Sequence, residues 1–168
     1  RSANFLGVKI MQIMVGDLVP DGDLTVMGDS GPEQVSFRAL VKNKKVVLIG
    51  VEGAFTPNCT SQHLPGFINQ ADTLRNKGID MIMCLSMNDI FVMTAWREAM
   101  NASALKMLAD GNGYFTESLG LTLDNRVWGM GLRTKRFAMI IDNGRVNMIG
   151  VDDLGVLASS ADSVLSAL

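Results

Sequence analysis

The residues most able to do chemistry in this chain are two cysteines, one histidine and a few neighbours with polar side chains. Cys59 ends the segment Gly53-Ala54-Phe55-Thr56-Pro57-Asn58-Cys59, between an apolar run and a stretch with helical spacing. A thiol in the first turn of a helix meets unpaired N–H groups and positive partial charge. Both favour the thiolate, which is the nucleophile. The small and polar neighbours Thr56, Pro57, Asn58 and Thr60 fit an exposed bend. By position alone, a structural free cysteine in a strand-to-helix loop weighs as heavily as a reactive one.

The other candidates read more plainly. Cys84 closes a second apolar run between Met83 and Leu85, and apolar flanks predict an inert core thiol. His63, the only histidine, forms an i, i+4 pair with Cys59 and would share a helix side with it. Two ligands do not close a zinc site, and no further Cys/His cluster accompanies them. A helix-surface or cap-supporting place is the expectation for His63, ahead of a base beside the thiol. Asp110-Gly111-Asn112-Gly113 lacks the spaced carboxylates and closing Glu of a calcium loop and reads as a turn. No metal and no cofactor is expected. Alone, Arg136 reads as a surface cation on a strand and Thr56 as a turn or cap residue.

The elements that must hold these residues alternate. Val46–Val51 is apolar on both faces, the signature of a central strand in a covered sheet. Leu64, Phe67, Ile68, Ala71 and Leu74 trace one helix, with Pro65 near its start and Gly78 at its end. Ile79–Leu85 is a second buried strand. Asn88 or Asp89 caps a helix carrying Ile90, Met93 and Trp96. Leu105–Leu108 is a short strand and Tyr114–Leu119 a brief helix. Phe137–Ile141 and Val146–Val151 flank Asn143-Gly144, a strong hairpin signal. Before them, Gly16–Pro32 reads as short strands and turns, and Ser36 caps a helix at Phe37–Val41. Ser159 or Ser160 caps a last helix, Ala161–Leu168. The outline is α/β: a mixed central sheet with helices on both faces and an N-terminal strand extension.

Composition bounds the function. Fifteen Lys and Arg against 17 Asp and Glu in 168 residues give a net charge of −2 and no basic face for nucleic acid. No apolar run reaches the roughly 18 residues of a membrane span. Two cysteines are no disulfide scaffold and suit a reducing, intracellular compartment. Residues 1–168 read as one domain, and the Arg1 start fits a removed leader or tag, which leaves cytoplasm and organelle both open.

Taken with His63-Leu64-Pro65-Gly66-Phe67, the Cys59 segment resembles the peroxidatic segment of the peroxiredoxins, in particular the type II and type 5 atypical subgroup. The resemblance continues through Cys84-Leu85-Ser86-Met87-Asn88-Asp89, Leu108-Ala109-Asp110-Gly111, Ser118-Leu119-Gly120-Leu121 and Arg133-Thr134-Lys135-Arg136-Phe137-Ala138, covering about residues 14–168. It implies a thioredoxin-like fold and reduction of hydrogen peroxide and alkyl hydroperoxides. It makes Cys59 the peroxidatic thiol, with Thr56 orienting the peroxide and Arg136 stabilising the leaving oxygen.

One position departs from the pattern: Glu52 stands where the family motif has Pro. A carboxylate aimed at the site would compete for Arg136, which keeps open a second reading as a peroxide sensor or binding protein with weakened turnover. The resolving cysteine that some type 5 members carry has no counterpart in Gly155-Val156-Leu157-Ala158-Ser159-Ser160. An external thiol, glutathione with glutaredoxin or thioredoxin, would then recycle Cys59. Cys84 matches a cysteine considered a resolving thiol in some type II members. The resemblance further implies a homodimer with loops near Cys59 at the interface, and Phe55, Phe91 and Trp128 are candidates for partly exposed residues near the site.

Overall fold

The computed structural model describes residues 2–3 and 9–168. The first elements are a two-stranded antiparallel pair, β1 (Ser2–Ala3) with β2 (Lys9–Ile10). There follow β3 (Asp23–Gly28), β4 (Gly31–Ser36), α1 (Phe37–Val41) and β5 (Lys45–Gly50). A single π turn, Cys59–His63, leads into α2 (Leu64–Asn69) and α3 (Ala71–Asn76). Then come β6 (Met81–Ser86), α4 (Ile90–Ala99), β7 (Leu105–Ala109), α5 (Tyr114–Ser118) and β8 (Thr122–Asp124). The chain ends with β9 (Leu132–Thr134), β10 (Arg136–Asp142), β11 (Arg145–Asp152) and α6 (Ala161–Ser166).

Seven strands form one mixed sheet in the order β11-β10-β5-β6-β7-β3-β4. β5, β6 and β7 run parallel at its centre, and the flanking strands are antiparallel to their neighbours. Period-two alternation divides the core. Val47, Ile49, Ile82, Cys84, Ala138 and Ile140 face α2, α3, α4 and α6. Val46, Leu48, Met83, Leu85, Phe137 and Met139 face α1 and α5. Helices therefore cover both faces, as the apolar strands require. β10 belongs to this alternation, so Arg136 falls on the face of Ala138 and Ile140, where Cys59 also lies.

Local chemistry sets the ends. The side chains of Ser36, Asp89 and Ser160 accept from the backbone N–H groups of Ala39, Val92 and Ser163 and cap α1, α4 and α6. Asn143 and Gly144 both take positive φ (47° and 84°), as the tight β10–β11 hairpin demands.

Two expectations are corrected, and three strands lie outside what the sequence pattern shows. The single helix expected after Cys59 is a π turn followed by two short helices that break at Gln70. Pro65 has no N–H to give the carbonyl four residues back, and its ring crowds that carbonyl. The turn ahead of it widens, and the Leu64 N–H reaches Cys59 O instead. The last helix stops at Ser166, not Leu168. The short pair β8–β9 and the edge strand β4 were not legible, because β4 (Gly31-Pro32-Glu33-Gln34-Val35-Ser36) has little apolar alternation. Among the described residues, no helix is long and apolar enough to cross a membrane.

Candidate active site

β5 delivers the chain at its carboxyl end to Val51, Glu52 and the loop Gly53–Asn58, the usual place for a site in an α/β sheet. The loop is held from below. Asn88 Oδ1 accepts from the Ala54 N–H (2.8 Å) and the Ser86 hydroxyl (2.7 Å), tying the loop to the end of β6. Asn88 is thus a strut for the loop, while its neighbour Asp89 is the helix cap. Phe55 is left-handed (φ 64°), a costly conformation for a bulky residue of the kind that clusters at active sites. The Thr56 hydroxyl donates to Gly53 O at 2.6 Å, and Thr56 O accepts from the Thr60 N–H at 3.0 Å. The Trp96 indole N–H, from inside α4, donates to Thr60 Oγ at 3.2 Å and pins the turn to the core.

Cys59 is fully buried, not set in the exposed bend that its neighbours imply. Arg136 is also buried, which overturns the surface-cation reading. Its Nη2 points to Cys59 Sγ at 3.7 Å, and its Nη1 donates to Gly155 O at 2.8 Å. The same Nη2 lies 3.6 Å from Glu52 Oε1. Arg136 Nε is buried with no partner among the described residues.

His63 is buried against expectation, at 1% exposure. The widened turn swings it inward, where Nε2–H donates to Ser159 O at 2.9 Å. Burial holds its imidazole down at about 4, with the Arg136 charge adding to the fall against the pull of the Ser159 bond. It is neutral at pH 7 and a poor base. Cys84 is buried on the same face as Cys59, and burial pushes its thiol well up, with the Cys59 sulfur adding to the rise. Its place in the core fits the apolar flanks Met83 and Leu85. Among the described residues, no group of three or more His, Cys, Asp or Glu side chains could hold a metal ion.

One residue of the site escaped sequence reasoning. The Asp152 carboxylate accepts from the N–H groups of Leu157 (2.9 Å), Ala158 (3.0 Å) and Ser159 (2.8 Å) and from the Ser159 hydroxyl (2.6 Å). It folds the loop after β11 into a strap whose carbonyls, Gly155 O and Ser159 O, hold Arg136 and His63. The only advance signal was one acidic residue ahead of a run of small residues.

The arrangement is a buried sulfur beside a guanidinium at the mouth of a strained loop, which fits nucleophilic thiol chemistry. Comparison with known proteins decides the family. Residues 14–165 match the family model described as Redoxin. Peroxiredoxin-2D of Arabidopsis thaliana is 45% identical, the match covering 93% of this chain and 98% of that one. The chain belongs to the type II peroxiredoxins. It is a thiol-dependent peroxidase, and peroxiredoxins act on peroxide and use thiol reductants. The plant relatives of this peroxiredoxin include Peroxiredoxin-2E, chloroplastic, of Arabidopsis thaliana, 42% identical over 93% of this chain and 69% of that one. A solved structure, reduced Prx3 in complex with H2O2 from Vibrio vulnificus, superposes with a TM-score of 0.90 at 44% identity, covering 93% of this chain and 99% of that one. The thioredoxin-like α/β architecture expected from the sequence is the architecture of these relatives.

Proposed function

We propose that this peroxiredoxin reduces hydrogen peroxide and alkyl hydroperoxides at Cys59, with Thr56 and Arg136 as the other catalytic residues. The observation that carries the reading is Arg136 Nη2 at 3.7 Å from Cys59 Sγ. The Cys59 thiolate attacks the terminal peroxide oxygen, an S–O bond forms as the O–O bond breaks, and sulfur is oxidised to the sulfenic acid. The leaving oxygen takes a proton and departs as water or an alcohol. Arg136 offsets the negative charge that builds on it. The Thr56 hydroxyl gives its proton to Gly53 O, so it meets the peroxide as an acceptor and orients the O–H.

An external thiol completes the cycle. One equivalent displaces water from the sulfenic acid to give a mixed disulfide, and a second releases Cys59 and the oxidised reductant. Glutathione with glutaredoxin, or thioredoxin, fits this role, since the strap carries no resolving cysteine and Cys84 is buried. The whole chain, residues 1–168, acts as one domain inside the cell. A homodimer meeting near Cys59 is supported by the exposed apolar residues Phe55, Val127, Trp128 and Leu132.

A second reading, a peroxide sensor or binding protein of the same fold, draws on the Glu52–Arg136 contact. Trapping with a sulfenic-acid-specific dione, followed by mass spectrometry, tests both. The adduct forms on Cys59 and clears within turnover time when glutathione and glutaredoxin, or thioredoxin, are added. An adduct on Cys84, or none, contradicts the proposal, and an adduct that persists with every reductant moves the assignment to the sensor.

A further inference from the structure

Arg136 is the one buried cation of the site, and both of its terminal nitrogens have neighbours. Nη1 is taken by Gly155 O, and Nη2 is divided between Cys59 Sγ and Glu52 Oε1. Glu52 is not itself deeply buried. Its side chain is 24% exposed against 3% for Arg136, so the carboxylate is the more solvent-exposed member of the pair. One positive charge is therefore flanked by two groups that are negative when ionised. A peroxide that reaches the sulfur beside this guanidinium nitrogen has the Glu52 carboxylate as a near neighbour. The other cation nearby is Arg133, whose Nε donates to Met130 O at 2.8 Å. Its Nη1 lies over the Gly53 backbone, 3.4 Å from where a Cβ at that glycine would stand. Arg133 thus borders the loop at Gly53, while Glu52 shares the very nitrogen that faces the sulfur.

We propose that Glu52 makes the site selective by charge, disfavouring hydroperoxides that carry an anionic group close to the O–O bond. The proposal rests on the reading of Cys59 as the peroxidatic thiol. A carboxylate on the substrate would lie within several ångströms of the Glu52 carboxylate in a partly desolvated mouth. Two unit charges ~6 Å apart there, at a dielectric between the surface value and water, slow the encounter about tenfold. A neutral hydroperoxide of the same shape meets no such term. The preferred substrates are then hydrogen peroxide and uncharged alkyl hydroperoxides, and free fatty-acid-like hydroperoxides with a nearby carboxylate are the poor ones.

The test is a ratio, so that any general effect of the substitution on Cys59 cancels. Second-order rate constants for Cys59 oxidation are measured with a short carboxylate-bearing alkyl hydroperoxide and with its methyl ester. They are compared in the parent, Glu52→Gln and Glu52→Pro, at low and high salt. The expected result is an ester-over-acid preference in the parent that falls about tenfold in both variants, with added salt narrowing the parent's preference only. An equal ratio in all three proteins, or a parent that prefers the acid, overturns the proposal. Cys59→Ser separates the layers: ester consumption at the parental rate in that variant would refute Cys59 as the thiol, whatever the ratio.

Discussion

Arg136 and Asp152 stand opposite each other in register across β10 and β11, yet they share no ion pair. The Asp152 carboxylate instead collects three backbone N–H groups and one hydroxyl from its own following loop. That loop then offers Gly155 O to Arg136. Asp152 thus fixes the guanidinium through the strap without pairing with it, and Nη2 is left to Cys59 and Glu52.

Asp152→Ala should release this strap. Four hydrogen bonds to a charged acceptor are lost, so a drop of about 2 kcal/mol in unfolding free energy is expected. The peroxide rate should also fall about tenfold, as Arg136 loses its fixed aim. Asp152→Asn keeps an acceptor and should recover part of both. Denaturant melts and stopped-flow rates on the two variants read this, and a parental peroxide rate in Asp152→Ala would refute the positioning role.

His63 gives a pH signature. Its folded value of about 4 lies below the ordinary 6.5, burial being the first cause. The unfolded chain therefore binds the extra proton between those values, and stability falls as pH drops from about 6.5 towards about 4. The loss approaches about 3 kcal/mol at the bottom of the window. His63→Gln should flatten the curve across that range. Urea titrations of both proteins from neutral to acid pH decide it, with parallel curves as the contrary result.

Glu52→Pro restores the residue that the family motif carries and removes the carboxylate from Arg136 Nη2. The rate of Cys59 oxidation by hydrogen peroxide should rise, by about tenfold if the guanidinium regains its full charge effect. An unchanged rate would show that the carboxylate does not weaken the site.

The fold was largely legible because its central strands are β-branched and apolar on both faces, a pattern with few other uses. Val46–Val51 and Ile79–Leu85 are recognisable for that reason, as is the Asn143-Gly144 hairpin. Cys59, Thr56 and Arg136 are candidates through contiguous motifs rather than physics alone. Read singly, Arg136 is a solvated strand cation, and only the alternation of β10 brings it to the buried face. His63 was misplaced because an i, i+4 rule assumes α geometry, which the π turn ahead of Pro65 breaks. Asp152 was invisible because its partners are backbone amides, which no side-chain pattern encodes.

The most direct test of the central claim is the stopped-flow rate of thiol oxidation by hydrogen peroxide in the parent, Cys59→Ser and Cys84→Ser. The account predicts a parental rate constant on the order of a thousandfold or more above a free thiol, as oriented and charge-stabilised attack requires. It predicts that this rate is lost in Cys59→Ser and kept in Cys84→Ser. A parental rate like that of a free thiol, or a fast rate that survives in Cys59→Ser, would contradict it.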